Sequence, residues 1–152
     1  MKVIFIDAYN VINSWPNFKD FKNLDSDIVR QKLIDIMENY AAFNDCRVFL
    51  VFDAHSSKKS GNRQINISKN LSVVFTNYGE LADTYIERIV HKIGKKSEVI
   101  VVTSDYLEQQ TVFQRGASRI SSLEFYKDIC EANSKIEIEI KKKSILKEIS
   151  YL

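Results

Sequence analysis

Glycine and proline are scarce in this chain, at 4 and 1 of 152 residues. That scarcity excludes a Pro/Gly-rich linker, and no low-complexity tract or internal repeat is visible. Cysteine is nearly missing too. Cys46 and Cys130 stand far apart and in no metal-ligand spacing. A disulfide framework and a zinc motif are thereby excluded, and two reduced, buried thiols in a cytoplasmic protein are expected. No apolar stretch approaches the ~20 residues of a membrane span. The opening run Val3 to Ile6 stops at Asp7, too early for a signal peptide. Neither a P-loop nor a dinucleotide fingerprint is present. An excess of one charge sign is lacking as well. The net charge is +2, which by itself says little about nucleic acid. Its distribution says more: no acid falls between Ala54 and Gly79, where Lys58, Lys59, Arg63 and Lys69 stand.

What is present suits a folded domain. Hydrophobic residues are 45% and charged residues 28%, enough for one core in a single domain over residues 1–152. Four short apolar runs read as strands: Val3 to Ile6, Val48 to Phe52, Val73 to Phe75 and Val99 to Val102. They are β-branched or aromatic with little alternation, as in strands covered on both faces. Arg119 to Ser121 offers a short extra strand. Val29, Leu33, Ile36, Met37 and Tyr40 mark a helix starting near Ser26, with Asp25 or Ser26 as N-cap. Ala82, Tyr85, Ile86, Ile89, Val90 and Ile93 mark a second, ended by Gly94. Asp105 to Arg115 and Leu123 to Ala132 predict two more. The tail from Ile136 to Ile149 reads as a helix packed on the domain or extending from it. Ser56 to Asn70 reads as a long polar loop. The order predicts an α/β fold of three layers, α/β/α, around a mainly parallel sheet.

Aspartates recur at the strand ends. Val3-Ile4-Phe5-Ile6 leads to Asp7, Val48 to Phe52 leads to Asp53, and Val99 to Val102 leads to Thr103-Ser104-Asp105. Asp83 lies in the first turn of the second helix, on a polar stripe with Glu80 and Glu87. In open α/β sheets the carboxyl ends of the strands are where ligands sit. Clustered carboxylates need a cation or must hold a proton, and hard oxygen ligands suit Mg²⁺ or Mn²⁺. Carboxylate-bound metal beside a basic loop suits phosphodiester chemistry. Each acid also has a plain structural role open to it. Asp105 would N-cap a helix with Glu108, Asp83 would complement a helix dipole, and Asp53 would sit in a turn. The residues after Asp7 offer no helix start or tight-turn signal, which makes Asp7 the hardest acid to explain structurally.

Asp7-Ala8-Tyr9-Asn10 after the first strand resembles the signature of NYN domains, a branch of the PIN-like nucleases. Trp15-Pro16, Val51-Phe52-Asp53-Ala54-His55, Glu80-Leu81-Ala82-Asp83 with Ile86-Glu87, and Thr103-Ser104-Asp105 are similar to stretches of the YacP-like bacterial family within that branch. The resemblance implies a PIN-like fold and metal-dependent endoribonuclease activity. It implies Asp7, Asp83 and Asp105 as catalytic metal ligands with Asp53 close by, and Mg²⁺ or Mn²⁺ as the cofactor. Asn10 would orient Asp7 or contact RNA, and Ser104 would support the ligands or touch phosphate. The expected partners are mRNA and the ribosome. Leu81 departs from the small polar residue that relatives often carry there.

Other residues have competing roles. Lys58, Lys59, Arg63 and Lys69 would grip RNA phosphates, against a plain solvated loop. His55 would contact phosphate or shuttle a proton, though a structural histidine or a loop residue is the commoner case. Tyr106 is placed to stack on a base, whereas Tyr9, Trp15 and Phe18 fit loop packing better. Lys141-Lys142-Lys143 fits an exposed face. Two other functions compete with ribonuclease: a non-catalytic RNA- or ribosome-binding module, and a receiver-like phosphoacceptor domain using Asp53. The lone Asp7 speaks against the receiver. A haloacid-dehalogenase-type phosphatase fails because position 9 is Tyr, not a second Asp.

Overall fold

The apolar runs form a six-stranded sheet. β1 (Val3–Asp7) is followed by α1 (Ala8–Ser14), a 3-10 turn (Pro16–Phe21) and α2 (Ser26–Asn44). Then come β2 (Arg47–Phe52), β3 (Arg63–Asn66), β4 (Leu71–Phe75), α3 (Ala82–Ile93), β5 (Val99–Val102), β6 (Ser118–Ile120) and α4 (Ser122–Ser150). This computed structural model describes residues 1–21, 26–53, 63–94, 97–104 and 117–150. The strand order is β3-β4-β2-β1-β5-β6. All neighbours pair in parallel except β3, which runs antiparallel to β4.

Alternate side chains of each central strand enter different cores, as the two-residue period requires. Ile4, Ile6, Val48, Leu50, Phe52, Leu71 and Val73 face α1, α2 and the start of α4. Phe5, Val51 and Val74 face α3 and its Ala82, Ile86 and Val90. Both faces of the sheet are thus covered, which explains why the strands read as unbroken apolar runs. The architecture is a three-layer α/β/α sandwich.

Several expectations are corrected in detail. Residues 63–66 lie in an edge strand rather than in a loop. Its side chains are all exposed, so no apolar pattern announced it. Two expected helices, residues 123–132 and the tail, are one unbroken α4. Of the two expected readings of the tail, the helix extending from the domain is the one seen: beyond Ala132 only Ile136 is even half-buried among the described residues. α1 was not expected, because its start signal is the cap of a strand-end acid. The short strand at Ser118–Ile120 sits one residue earlier than expected. Cys46 is buried as expected, but Cys130 is exposed; both are free. The helix expected at residues 105–115 lies outside the described residues. Gly94 ends α3 as expected, with φ 61 and its N–H on the Val90 carbonyl, a conformation that favours glycine. Among the described residues no helix is long and apolar enough to cross a membrane.

Candidate active site

Parallel pairing fixes which side chains meet. Asp7, last in β1, pairs with Val51 of β2, and Ile6 pairs with Val102 of β5. Asp7, Asp53 and Thr103-Ser104 therefore leave the sheet at one edge. Counted in chain order, the parallel strands run 3-2-1-4-5, so the direction reverses between β1 and β5. Such a reversal opens the ligand crevice of an open α/β sheet. The same order excludes the receiver-like alternative, whose strands run 2-1-3-4-5.

Asp7 borders that crevice. It N-caps α1, with its carboxylate accepting the Asn10 N–H at 3.4 Å. The sequence therefore did hold a helix start after β1, and Asp7 was its signal. Asn caps a helix about as well as Asp, so capping alone does not demand a charge at position 7. Asn10 turns its side-chain oxygen across the crevice and accepts the Ser104 N–H at 3.1 Å. Ser104 Oγ lies 2.9 Å from Ser122 Oγ, and Ser14 Oγ lies 2.7 Å from the same atom. The Trp15 indole N–H donates to the Ser122 carbonyl at 2.7 Å. Ser122 is fully buried, so the two serine contacts satisfy its hydroxyl and the indole satisfies its carbonyl where water does not reach. They tie α1, the end of β5 and the start of α4 into one unit beside Asp7.

On the other flank Asp53 and Asp83 meet α3. Leu81, the N-cap residue of α3, makes no side-chain cap bond. The Asp53 carboxylate takes that place by accepting the Ala82 N–H. This explains how an apolar residue is tolerated at position 81: the cap comes from a neighbouring strand. Asp83 accepts the Thr84 N–H at 2.7 Å, and its charge sits in the first turn, where the helix dipole favours an anion. Glu80 is neutralised by Arg88 at 3.0 Å.

The oxygen donors of this edge are of the kind that Mg²⁺ or Mn²⁺ prefers. Among the described residues, however, no group of three or more His, Cys, Asp or Glu is gathered as a metal would need. Asp7, Asp53 and Asp83 share the edge without forming such a set. Asp105, Lys58, Lys59, His55 and Tyr106 lie outside the described residues. Arg63 is exposed on β3. Trp15 and Phe18 are buried packing residues, as expected. Tyr9 is half-buried, edge-on to Phe52 with ring centres 5.4 Å apart.

The comparisons with known proteins agree with this fold. The sequence matches the YacP-like NYN domain over residues 4–150. The chain belongs to that family. Bacillus subtilis (strain 168) YacP is 34% identical over 143 residues, which cover 93% of this chain and 83% of that one. The crystal structure of Rae1 (YacP) from Bacillus subtilis superposes with a TM-score of 0.81 at 33% identity, over 99% of this chain and 86% of that one. A point variant of the same protein gives 0.80 at 32% identity, over 95% and 84%. The YacP-like NYN domain has the PIN-like fold expected, and its role is nuclease-like and RNA-related.

Ser122, Ser14 and Arg30 were missed as participants at this edge. For Ser122 a signal existed. Ser121 and Glu124 stand at capping-box spacing, and Ser121 Oγ does accept the Glu124 N–H at 3.1 Å. That marks a helix start, and helix starts at strand ends face the crevice. Arg30 had a weaker signal of the same kind: it stands in the second turn of α2, whose start follows β1, and it donates to the Tyr9 hydroxyl at 3.4 Å. Burial works against the Arg30 charge, but the Tyr9 hydroxyl and Asp27 outweigh it and hold its pKa above the ordinary value.

Proposed function

We propose that this chain is a metal-dependent endoribonuclease that hydrolyses RNA phosphodiester bonds, with mRNA on the ribosome as its substrate. The observation that carries this reading is the position of Asp7. It is the last residue of the central strand, at the sheet's point of reversal, and Asn10 and Ser104 bridge the crevice beside it. A neutral cap would serve the helix there equally well.

In this reading Asp7 and Asp83, with Asp105, would hold Mg²⁺ or Mn²⁺, and Asp53 would fix the α3 end of the site. The ion, when bound, supplies a lowered water pKa and positive charge toward the attacking and leaving oxygens. The chain's own part is positioning. Asn10 holds the end of β5 at a set distance from α1, so the acids of the two strand ends keep their spacing. Ser104 would meet a phosphate oxygen, and Lys58, Lys59 and Arg63 would lower the cost of bringing a polyanion to an acidic edge. Water attacks phosphorus in line, the P–O3′ bond breaks, and the products are a 5′-phosphate and a 3′-hydroxyl.

The test is incubation with ribosomes translating an mRNA, with and without Mn²⁺. Asp7→Asn is expected to lower cleavage by about 10²-fold or more, as when a charge-stabilising group is lost, with RNA binding and thermal stability kept. Asp7→Ala should add a stability loss of about 1 kcal/mol, the cap itself. Equal cutting by Asp7→Asn and parent would remove the mechanism. The engagement of Asp7, Asp53 and Asp83 with helix N–H groups favours a second reading, an RNA-binding module without catalysis. RNA binding with no cleavage under any metal condition would select it.

A further inference from the structure

The β3–β4 hairpin brings a second feature to the carboxyl edge. Arg63 pairs across the hairpin with Phe75, and its guanidinium carbon lies 4.8 Å from the centre of the Phe75 ring. Phe75 stacks on Phe52 at 5.6 Å, and Phe52 immediately precedes Asp53. Arg30 reaches the same Phe75 ring from α2, at 6.0 Å, and donates to the Tyr9 hydroxyl at 3.4 Å. Asp27 pairs with Arg30. Among the described residues no carboxylate pairs with Arg63.

We propose that Arg63 and Arg30, seated on Phe75, form a binding site for an unpaired stretch of RNA beside the acidic edge. This rests on the ribonuclease reading and names the form of its substrate. Three physical points support it. A guanidinium held against a ring loses less freedom when it grips a phosphate, and its N–H edge matches two phosphate oxygens at once. A positive rim offsets the repulsion between a polyanion and carboxylates a short distance away. A guanidinium plane backed by aromatic rings also receives a base that is free to stack, which a duplex keeps within its own stack. β4 stands two strands from β1, so the site lies roughly 10 Å from the Asp7 strand. A short unpaired segment spans that distance.

The test measures binding without cutting. The full chain carrying Asp7→Asn is titrated, free of divalent metal and over a salt series, with a short single-stranded RNA and with the same sequence annealed to its complement. Arg63→Ala should weaken single-strand binding about tenfold and reduce the salt slope by ~0.7 for each phosphate it no longer neutralises. Arg30→Ala should follow with a smaller loss, because Asp27 already offsets part of its charge. Arg63→Lys should keep the slope and lose part of the affinity, since the charge stays and the planar stack goes. Lys142→Ala, at the far end of α4, should bind as the parent does. The proposal is overturned if Arg63→Ala matches Lys142→Ala in affinity and slope, or if the duplex loses as much as the single strand. If the parent never cuts RNA but this pattern holds, the ribonuclease reading falls and the site stands. If the parent cuts and the pattern is absent, the site falls alone.

Discussion

From Ser122 to Ala132, α4 buries Ser122, Phe125, Ile129 and Ala132 against the sheet layer and α2. From Asn133 to Ser150 the same helix continues with Ile138, Ile140, Ile145, Leu146 and Ile149 all more than half exposed. The buried set recurs at spacings of three and four, the stripe of a helix lying on a core. Ile136 and Ile140 carry that stripe a little further, whereas Ile138, Ile145 and Ile149 fall on the far side. Beyond Ile136 every described residue is exposed, and the helix there depends on helix propensity and on Glu137/Lys141 and Glu139/Lys143 at favourable spacing, each pair adding about 0.2–0.5 kcal/mol. At 29 residues the helix is about 44 Å long, longer than the layer it packs on. A helical sequence pattern therefore reports that a helix forms, not that something covers it.

The comparison breaks most sharply at Phe125. Its ring meets Tyr40 edge-on at 5.3 Å and Trp15 at 6.1 Å, and only 2% of it is exposed. The same surroundings bury Tyr40 and push its phenol up to about 12. Phe125→Ala should cost about 3–5 kcal/mol, the transfer of the ring plus the cavity left behind. Denaturant unfolding measures it. A loss under about 1 kcal/mol would mean that the docked turns are not held by this cluster.

Ser122 comes next. Ser122→Ala leaves Trp15 its bond to the backbone carbonyl but removes the hydroxyl that Ser14 and Ser104 share. Losing a buried hydrogen-bond partner costs about 1–3 kcal/mol. The lower half of that range is expected, because Ser104 is exposed and water can replace its bond. Thermal unfolding of the variant against the parent checks this. No measurable change would show that the three hydroxyls do not act as a unit.

How far the sequence could be read follows from the same distinction between pattern and surroundings. The central strands were legible because burial on both faces demands unbroken apolar runs, and Val3 to Ile6 and Val48 to Phe52 supply them. β3 was not legible: Arg63 to Asn66 is an exposed edge that asks little of its side chains. α1 was hidden because Asp7 is at once the end of a strand and the cap of a helix. At the site, the gathering of Asp7, Asp53 and Ser104 at one edge followed from strand ends alone. The partners did not. That Asp53 would cap a helix 29 positions away, or that Asn10 would hold Ser104 across 94, depends on strand order, which no local spacing encodes.

The smallest effect is expected on the outer part of α4. Ile145 is 55% exposed, so trimming it to Ala removes little buried surface. Ala is also the better helix former by a few tenths of a kcal/mol. Ile145→Ala should therefore move global stability by less than about 0.5 kcal/mol, and the helix signal in circular dichroism should hold or rise slightly. Amide exchange sharpens the contrast. Amides near Ile129 should open only with global unfolding, while those near Ile145 should open locally and exchange far sooner. If Ile145→Ala instead lowers stability on the scale of Phe125→Ala, or the outer amides are protected as strongly as the inner ones, then the far side of α4 is covered in solution and the two parts of the helix obey one rule after all.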